Sequence, residues 1–252
     1  MACVSLLSYN TRDMLTTRSS LLSTATLIVL LLHAATHVSA QAAPVPAGAF
    51  HTIILVRHGA YDADRNDPEK SSLNPLGIAQ ARLVAARLAA LPGNTDAFVS
   101  SPVVRAHQTA RVIAADMQGR PIEILTALSE CSPPSRRPEA AAKTPEAVQE
   151  SAACASRLGS VFASLFVPAS SGKPRRTMII AHGNVIRYLI TRALGVDTKA
   201  WLEMSVANAS ITQVLVEPDG RFKVISVGDV GHLPPSMHNG TTGTSERPLV
   251  VP

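Results

Sequence analysis

Charge is missing from the front of this chain: between Arg18 and Arg57 there is no Asp, Glu, Lys or Arg. The apolar run inside that gap, residues 21–32, is too short for a bilayer span, which needs about 20 residues. With Arg12 and Arg18 before it and Val38-Ser39-Ala40 after it, the run has the layout of a secretory signal peptide over residues 1–40, cut after Ala40. The alternative is an uncleaved anchor. On the first reading the protein is exported, to a periplasm or the medium. On the second it associates with a membrane, a mitochondrial one if the host has mitochondria. Residues 41–50, rich in Ala and Pro, read as a linker.

Cysteine is scarce as well. Of three, Cys3 would leave with the signal, and Cys131 and Cys154 would remain, an even number in an oxidising compartment. A disulfide and two reduced small hydrophobes both stay open, because spacing does not say how near the two lie. No Cys/His spacing of the metal-binding kind occurs, and no internal repeat. Aromatics make up only 4%, and the net charge of +5 is spread without a basic stripe, so nucleic acid is not the expected partner. The surplus of cations points weakly to acidic or phosphorylated partners. With 46% hydrophobic residues, 252 residues suit one α/β domain, placed at 51–235, with extra material at each end. Past Val230, Pro, Gly, Ser and Thr dominate, and residues 236–252 are expected to be a disordered tail.

The body alternates strands and helices. Ile53-Ile54-Leu55-Val56 reads as a strand buried on both faces, and it stops on Arg57-His58-Gly59. A polar loop, 60–73, precedes Asn74-Pro75, an N-cap with proline in the first helical turn of a helix that runs to Pro92-Gly93. Strands follow at 97–100 and 121–125, with a helix from Val103 to about Met117 between them. A helix from Thr144 to about Phe166, a strand at 177–181 ending on His182-Gly183-Asn184, and a helix at 185–194 come next. Asn184 is expected to cap that last helix. Tyr188 and Trp201 are expected in the core or an interface. Asn208 is left between orienting a site residue and satisfying a strand end. A hairpin over 210–227 turns at Pro218-Asp219-Gly220. The pattern predicts a mostly parallel sheet covered on both faces.

Two buried strands therefore end in His-Gly. In a parallel sheet both ends point the same way, toward the crevice where such sheets bind ligands. Arg57, at a strand end, and Arg105, at a helix start, are placed to reach that crevice. Two guanidiniums and two imidazoles around a small space suit a phosphoryl group, whose oxygens gain charge during transfer. One imidazole can attack phosphorus while the other cations hold its oxygens, and no metal or other cofactor is needed. Loss of an alkoxide needs a proton, for which Glu130 is the first candidate and Asp62 or Asp64 the alternatives. The bland reading of Arg57-His58 is a surface pair that caps a strand.

Arg57-His58-Gly59, Arg105 within Ser100-Ser101-Pro102-Val103-Val104-Arg105, and His182-Gly183-Asn184 resemble the three sequence blocks of the histidine phosphatase superfamily. The resemblance covers residues 52–235. It implies a phosphoglycerate mutase-like, three-layer α/β/α sandwich, a phosphohistidine on His58, phosphate bound by Arg57, Arg105 and His182, and Glu130 as proton donor. Leu73-Asn74-Pro75-Leu76-Gly77, Asn184-Val185-Ile186-Arg187-Tyr188 and Asn208-Ala209-Ser210-Ile211-Thr212 resemble its serine/threonine protein phosphatase members. That implies a phosphoprotein or a phosphorylated small molecule as substrate, and a homodimer. The tryptophan-rich assembly motif of those members has no counterpart, since Trp201 is the only tryptophan. The competing readings are a phosphoglycerate mutase-type phosphoryl transferase, a phosphohistidine-protein phosphatase and a non-catalytic binding module.

Overall fold

The computed structural model describes residues 49–240 apart from Arg65, Pro92, Gly93 and Ser171. The expected signal peptide, nearly all of the linker and residues 241–252 lie outside the described residues. Strand β1 (His51–Arg57) runs through the middle of a six-stranded sheet. A small two-stranded ribbon, β2 (Tyr61–Asp62) and β3 (Ser72–Leu73), occupies the polar loop after it, and helix α1 (Pro75–Ala89) follows. The chain continues through β4 (Ala97–Ser100), α2 (Val104–Asp116), β5 (Glu123–Ile124), α3 (Pro145–Leu165) and β6 (Arg175–Ala181). It closes with α4 (Gly183–Leu194), β7 (Ile211–Val216) and β8 (Phe222–Asp229).

The strand order is β5-β4-β6-β1-β7-β8. The first four run parallel, and β7 and β8 add an antiparallel hairpin at one edge. Successive side chains of a strand point to opposite faces, so each strand feeds two cores. Ile54 and Val56 of β1 meet α1 and α2, through Ala81, Val84 and Ile113 among others. Ile53 and Leu55 meet α3 and α4, through Leu158, Val185 and Leu189. The result is the expected α/β/α sandwich. β5 is shorter than the segment 121–125 predicts. Its two residues are exposed at the edge of the sheet, where one face lacks a partner.

Cys131 and Cys154 are joined in a disulfide, which ties the loop after β5 to the buried side of α3. The bridge closes a loop with a sequence separation of 23 residues. By chain-entropy arguments such a loop contributes about 3 kcal/mol. Urea unfolding with and without reductant is expected to show a loss of that order, and an unchanged midpoint would contradict it.

The expected disorder after Pro235 needs correcting for residues 236–240. Pro235–Met237 is a short 3-10 turn. The Met237 carbonyl and Asn239 Oδ1 accept from the buried Gln80 amide at 2.7 and 3.0 Å, and the Asn239 carbonyl accepts from Asn208 N at 3.0 Å. Low-hydrophobicity sequence is held here because buried donors need acceptors.

Candidate active site

Register brings the two His-Gly ends together. β1 and β6 are neighbours, with Arg57 opposite Ala181, so both chains leave the sheet at the same level. The His58 and His182 rings then lie 5.2 Å apart, centroid to centroid. The turn after β1 is set by close packing. A Cβ on Gly59 would stand 2.6 Å from the Gly77 carbonyl oxygen, and one on Gly77 only 1.9 Å from that of Ala60. Only hydrogen at both positions lets the start of α1 press against this turn.

His58 is fully buried and its tautomer follows from its partners. Nδ1 donates to the Gly59 carbonyl at 2.9 Å, and Arg105 Nε donates to Nε2 at 3.2 Å. A nitrogen that accepts carries no proton, so Nε2 offers its lone pair. Asn208 Nδ2 donates to the carbonyls of His58 (3.0 Å) and Gly59 (3.1 Å) and holds this peptide in place. That settles the choice left open for Asn208 toward orienting. Burial, with His182, Arg57 and Arg105 nearby, pushes the His58 pKa well below its usual value.

His182 is enclosed to the same degree, and its pKa is pushed well down by burial and by Arg105 and Arg57. Its Nε2 lies 2.8 Å from Ser101 Oγ, a hydroxyl that accepts from Val103 N at 3.3 Å and has its own proton to give. Nδ1 is buried without a hydrogen-bond partner, 4.0 Å from Glu130 Oε2. Arg57 donates through Nη1 to the carbonyls of Val206 (2.7 Å) and Gly240, while its Nε is buried without an acceptor. Burial lowers the Arg57 pKa to about 10. Arg105 also donates to the Pro68 carbonyl at 2.9 Å and lies over the Tyr61 ring at 4.9 Å, so the polar loop forms one wall. The unpaired Arg57 Nε and His182 Nδ1, together with the buried Nε2 lone pair of His58 and its Arg105 donor, make a cradle for an anion.

Glu130 enters from the loop after β5, with Oε2 4.0 Å from His182 Nδ1 and Oε1 accepting from Cys131 N at 3.3 Å. Burial raises its pKa to about 7, against the pull of Arg105, Arg57 and Arg187. The two alternative acids are engaged elsewhere. Asp62 accepts from Asn74, and Asp64 accepts from the backbone of Asn66 and Asp67 in its own turn. The structure thus brings together Arg57, His58, Arg105, Glu130 and His182, and leaves Asp62 and Asp64 out.

A model of the histidine phosphatase superfamily (branch 1) matches residues 53–229. The chain belongs to this superfamily. It is 37% identical over 197 residues to the mitochondrial serine/threonine-protein phosphatase Pgam5 of Caenorhabditis briggsae, covering 75% of this chain and 67% of that one. Its identity to the mitochondrial serine/threonine-protein phosphatase PGAM5 of Homo sapiens is 34% over 187 residues, 73% of this chain and 64% of the relative. The chain therefore spans about two thirds of the length of these relatives. Among solved structures it resembles a phosphoserine phosphatase of Entamoeba histolytica, with a TM-score of 0.53 and 21% identity over 73% of this chain and all of that one. A phosphoglycerate mutase of Plasmodium falciparum matches with a TM-score of 0.52 and 23% identity over 74% of this chain and 95% of the other. At such identity these two show the fold.

Two features escaped the sequence. Contrary to expectation, Asn184 does not cap its helix; His182 stands at the N-cap position. Asn184 Nδ2 instead donates to the Cys131 carbonyl at 3.2 Å and its Oδ1 accepts from Arg187 at 2.7 Å, because the loop of Glu130 passes over this helix end. Arg187, 6% exposed, is a further buried cation, and its charge acts on Glu130. The sequence marked it only as a member of the Asn184–Tyr188 motif, without a role of its own.

Proposed function

We propose that this protein is a metal-independent phosphomonoesterase that passes the phosphoryl group through His58. The observation that carries this is the Nε2 lone pair of His58, held unprotonated by Arg105 and surrounded by cationic and N–H donors. In the first step Nε2 attacks phosphorus in line. The N–P bond forms, the P–O bond to the leaving group breaks, and the leaving oxygen takes the proton of Glu130. Arg57, Arg105 and His182 hold the three remaining oxygens as charge builds on them. In the second step water attacks, Glu130 takes its proton, the N–P bond breaks and phosphate departs. The positive field comes from the protein's own guanidiniums.

A cleft of about 390 Å³ opens beside Glu130, and the proton-donor role of Glu130 makes it the candidate place for the leaving group. Its walls include Glu130, Ser132, Ala140, Ala147 and Glu150, with no cation among the described residues that line it. A glycerate would bring a carboxylate into this acidic space, so the cleft disfavours the mutase reading. A neutral serine or threonine side chain on a peptide suits it, in line with the names of the relatives. Those names also favour the mitochondrial alternative over export to a periplasm. An oxidising compartment suits the disulfide.

The full chain is expected to hydrolyse p-nitrophenyl phosphate and a phosphoserine peptide in the presence of EDTA. Absence of turnover on both, with inorganic phosphate still bound, would leave the non-catalytic binding module.

A further inference from the structure

Glu130 sits on a loop without regular secondary structure, yet a proton donor must be held to a fraction of an ångström. The Cys131–Cys154 disulfide anchors this loop at one point, and the side chain that organises the stretch around that anchor is Arg187, buried on α4. Its Nε donates to the Gly183 carbonyl at 3.1 Å, which fixes the guanidinium against its own helix. From there it reaches in two directions. Nη2 donates to Asn184 Oδ1 at 2.7 Å, and Asn184 in turn donates to the Cys131 carbonyl at 3.2 Å and lies 3.4 Å from Ser132 Oγ. The guanidinium plane also covers the Trp201 ring at 4.9 Å. Trp201 Nε1 donates to the carbonyls of Pro133 and Pro134 at 3.2 and 3.1 Å. Both arms end on the four residues that follow Glu130, so one side chain holds 131–134.

We propose that Arg187 is the positioning residue for Glu130: it clamps the loop that carries the proton donor and sets a positive charge beside its carboxyl group. This rests on the phosphomonoesterase reading. Other groups acting on Glu130 or its loop are Arg57 from β1, Arg105 from α2 and His182 at the end of β6. Arg157 from α3 donates to the Ser129 carbonyl at 3.1 Å. Arg57, Arg105 and His182 face the phosphoryl cradle and Arg157 holds the loop before Glu130, whereas Arg187 acts on the loop beyond it. Lysine at position 187 would keep the charge and lose the planar fork that serves both arms.

The test compares the full chain with Arg187→Met, Arg187→Lys and Asn184→Ala, using p-nitrophenyl phosphate and a phosphoserine peptide. The p-nitrophenolate ion leaves without a proton; a serine alkoxide does not. In Arg187→Met the ratio of peptide to p-nitrophenyl phosphate kcat/KM is expected to fall about tenfold or more, with the basic limb of the peptide profile moved to higher pH. Arg187→Lys is expected to return the limb to its place but not the ratio, and Asn184→Ala to lower the ratio with the limb unmoved. Equal loss on both substrates, or no change in the ratio, would overturn the proposal. If Arg187→Met does not fold, the other two variants decide. A wild type inactive on both substrates would defeat the phosphatase reading instead. The Glu130 carboxyl titration, followed by carbon-13 NMR, would still move up in Arg187→Met if the charge acts as proposed.

Discussion

His58→Ala is expected to reduce turnover of both p-nitrophenyl phosphate and a phosphoserine peptide by roughly 10⁴-fold or more, as for loss of a nucleophile in other covalent enzymes. The reason is specific to the geometry. Within the cradle His58 Nε2 is the lone pair that an Arg105 donor marks as unprotonated, while His182 is held through Nε2 by Ser101. Neither Arg57 nor Arg105 can replace it, since guanidinium has no lone pair to give. Acid quenching destroys a phosphohistidine, so the trap is an alkaline quench of labelled substrate, with label on wild type and none on the variant. Turnover within tenfold of wild type would place the nucleophile elsewhere. Arg105→Ala is a useful contrast: it keeps the nucleophile and removes one oxygen donor, for which a loss of about 10²–10³ is expected.

The second large effect concerns Glu130 and depends on the leaving group. Glu130→Gln preserves the volume and removes the proton. The kcat/KM for a phosphoserine peptide is expected to fall roughly 10²–10³-fold, and that for p-nitrophenyl phosphate to fall much less. The pH profile carries the sign. Glu130 must be protonated to act on the free substrate, and its pKa is raised to about 7 by burial. Peptide kcat/KM should therefore decline as pH rises through about 7, toward tenfold per pH unit. His58 lies well below its ordinary value and stays unprotonated across that range, so the limb belongs to the carboxyl group. In Glu130→Gln the limb should vanish. A limb that persists would assign the titration to another group.

How much of this was legible beforehand differs from residue to residue. His58 and His182 could be paired from the chain alone because both follow short, fully apolar runs. Such runs become adjacent parallel strands whose ends coincide. Arg105 could be read because Ser101-Pro102 announces a helix start beside a strand end. Glu130 was chosen over Asp62 and Asp64 by order in the chain, and the structure adds that the other two are spent on their own loop. Arg187 stood within the Asn184–Tyr188 motif, but its buried role could not be read for a plain reason. In an amphipathic helix an arginine normally faces water, and only packing against Trp201 and Gly183 turns this one inward. Asn184 was misjudged because an N-cap preference is local, whereas the loop that claimed its amide comes from more than fifty positions away.

Local chemistry in the sequence thus determined the strands, the helices, the layered α/β/α architecture and the principal cations and imidazoles of the site. Hydrophobic period, helix caps and His-Gly turns act over a few residues, so they can be read without a fold. Tertiary structure decided which nitrogen of His58 is unprotonated, which carboxyl group stands beside His182, and that Cys131 meets Cys154. It also decided that Arg187 faces inward and that the chain near Gly240 returns to Arg57. Each of these depends on distance and burial between segments far apart in the chain, and those arise only when the two cores close on the sheet.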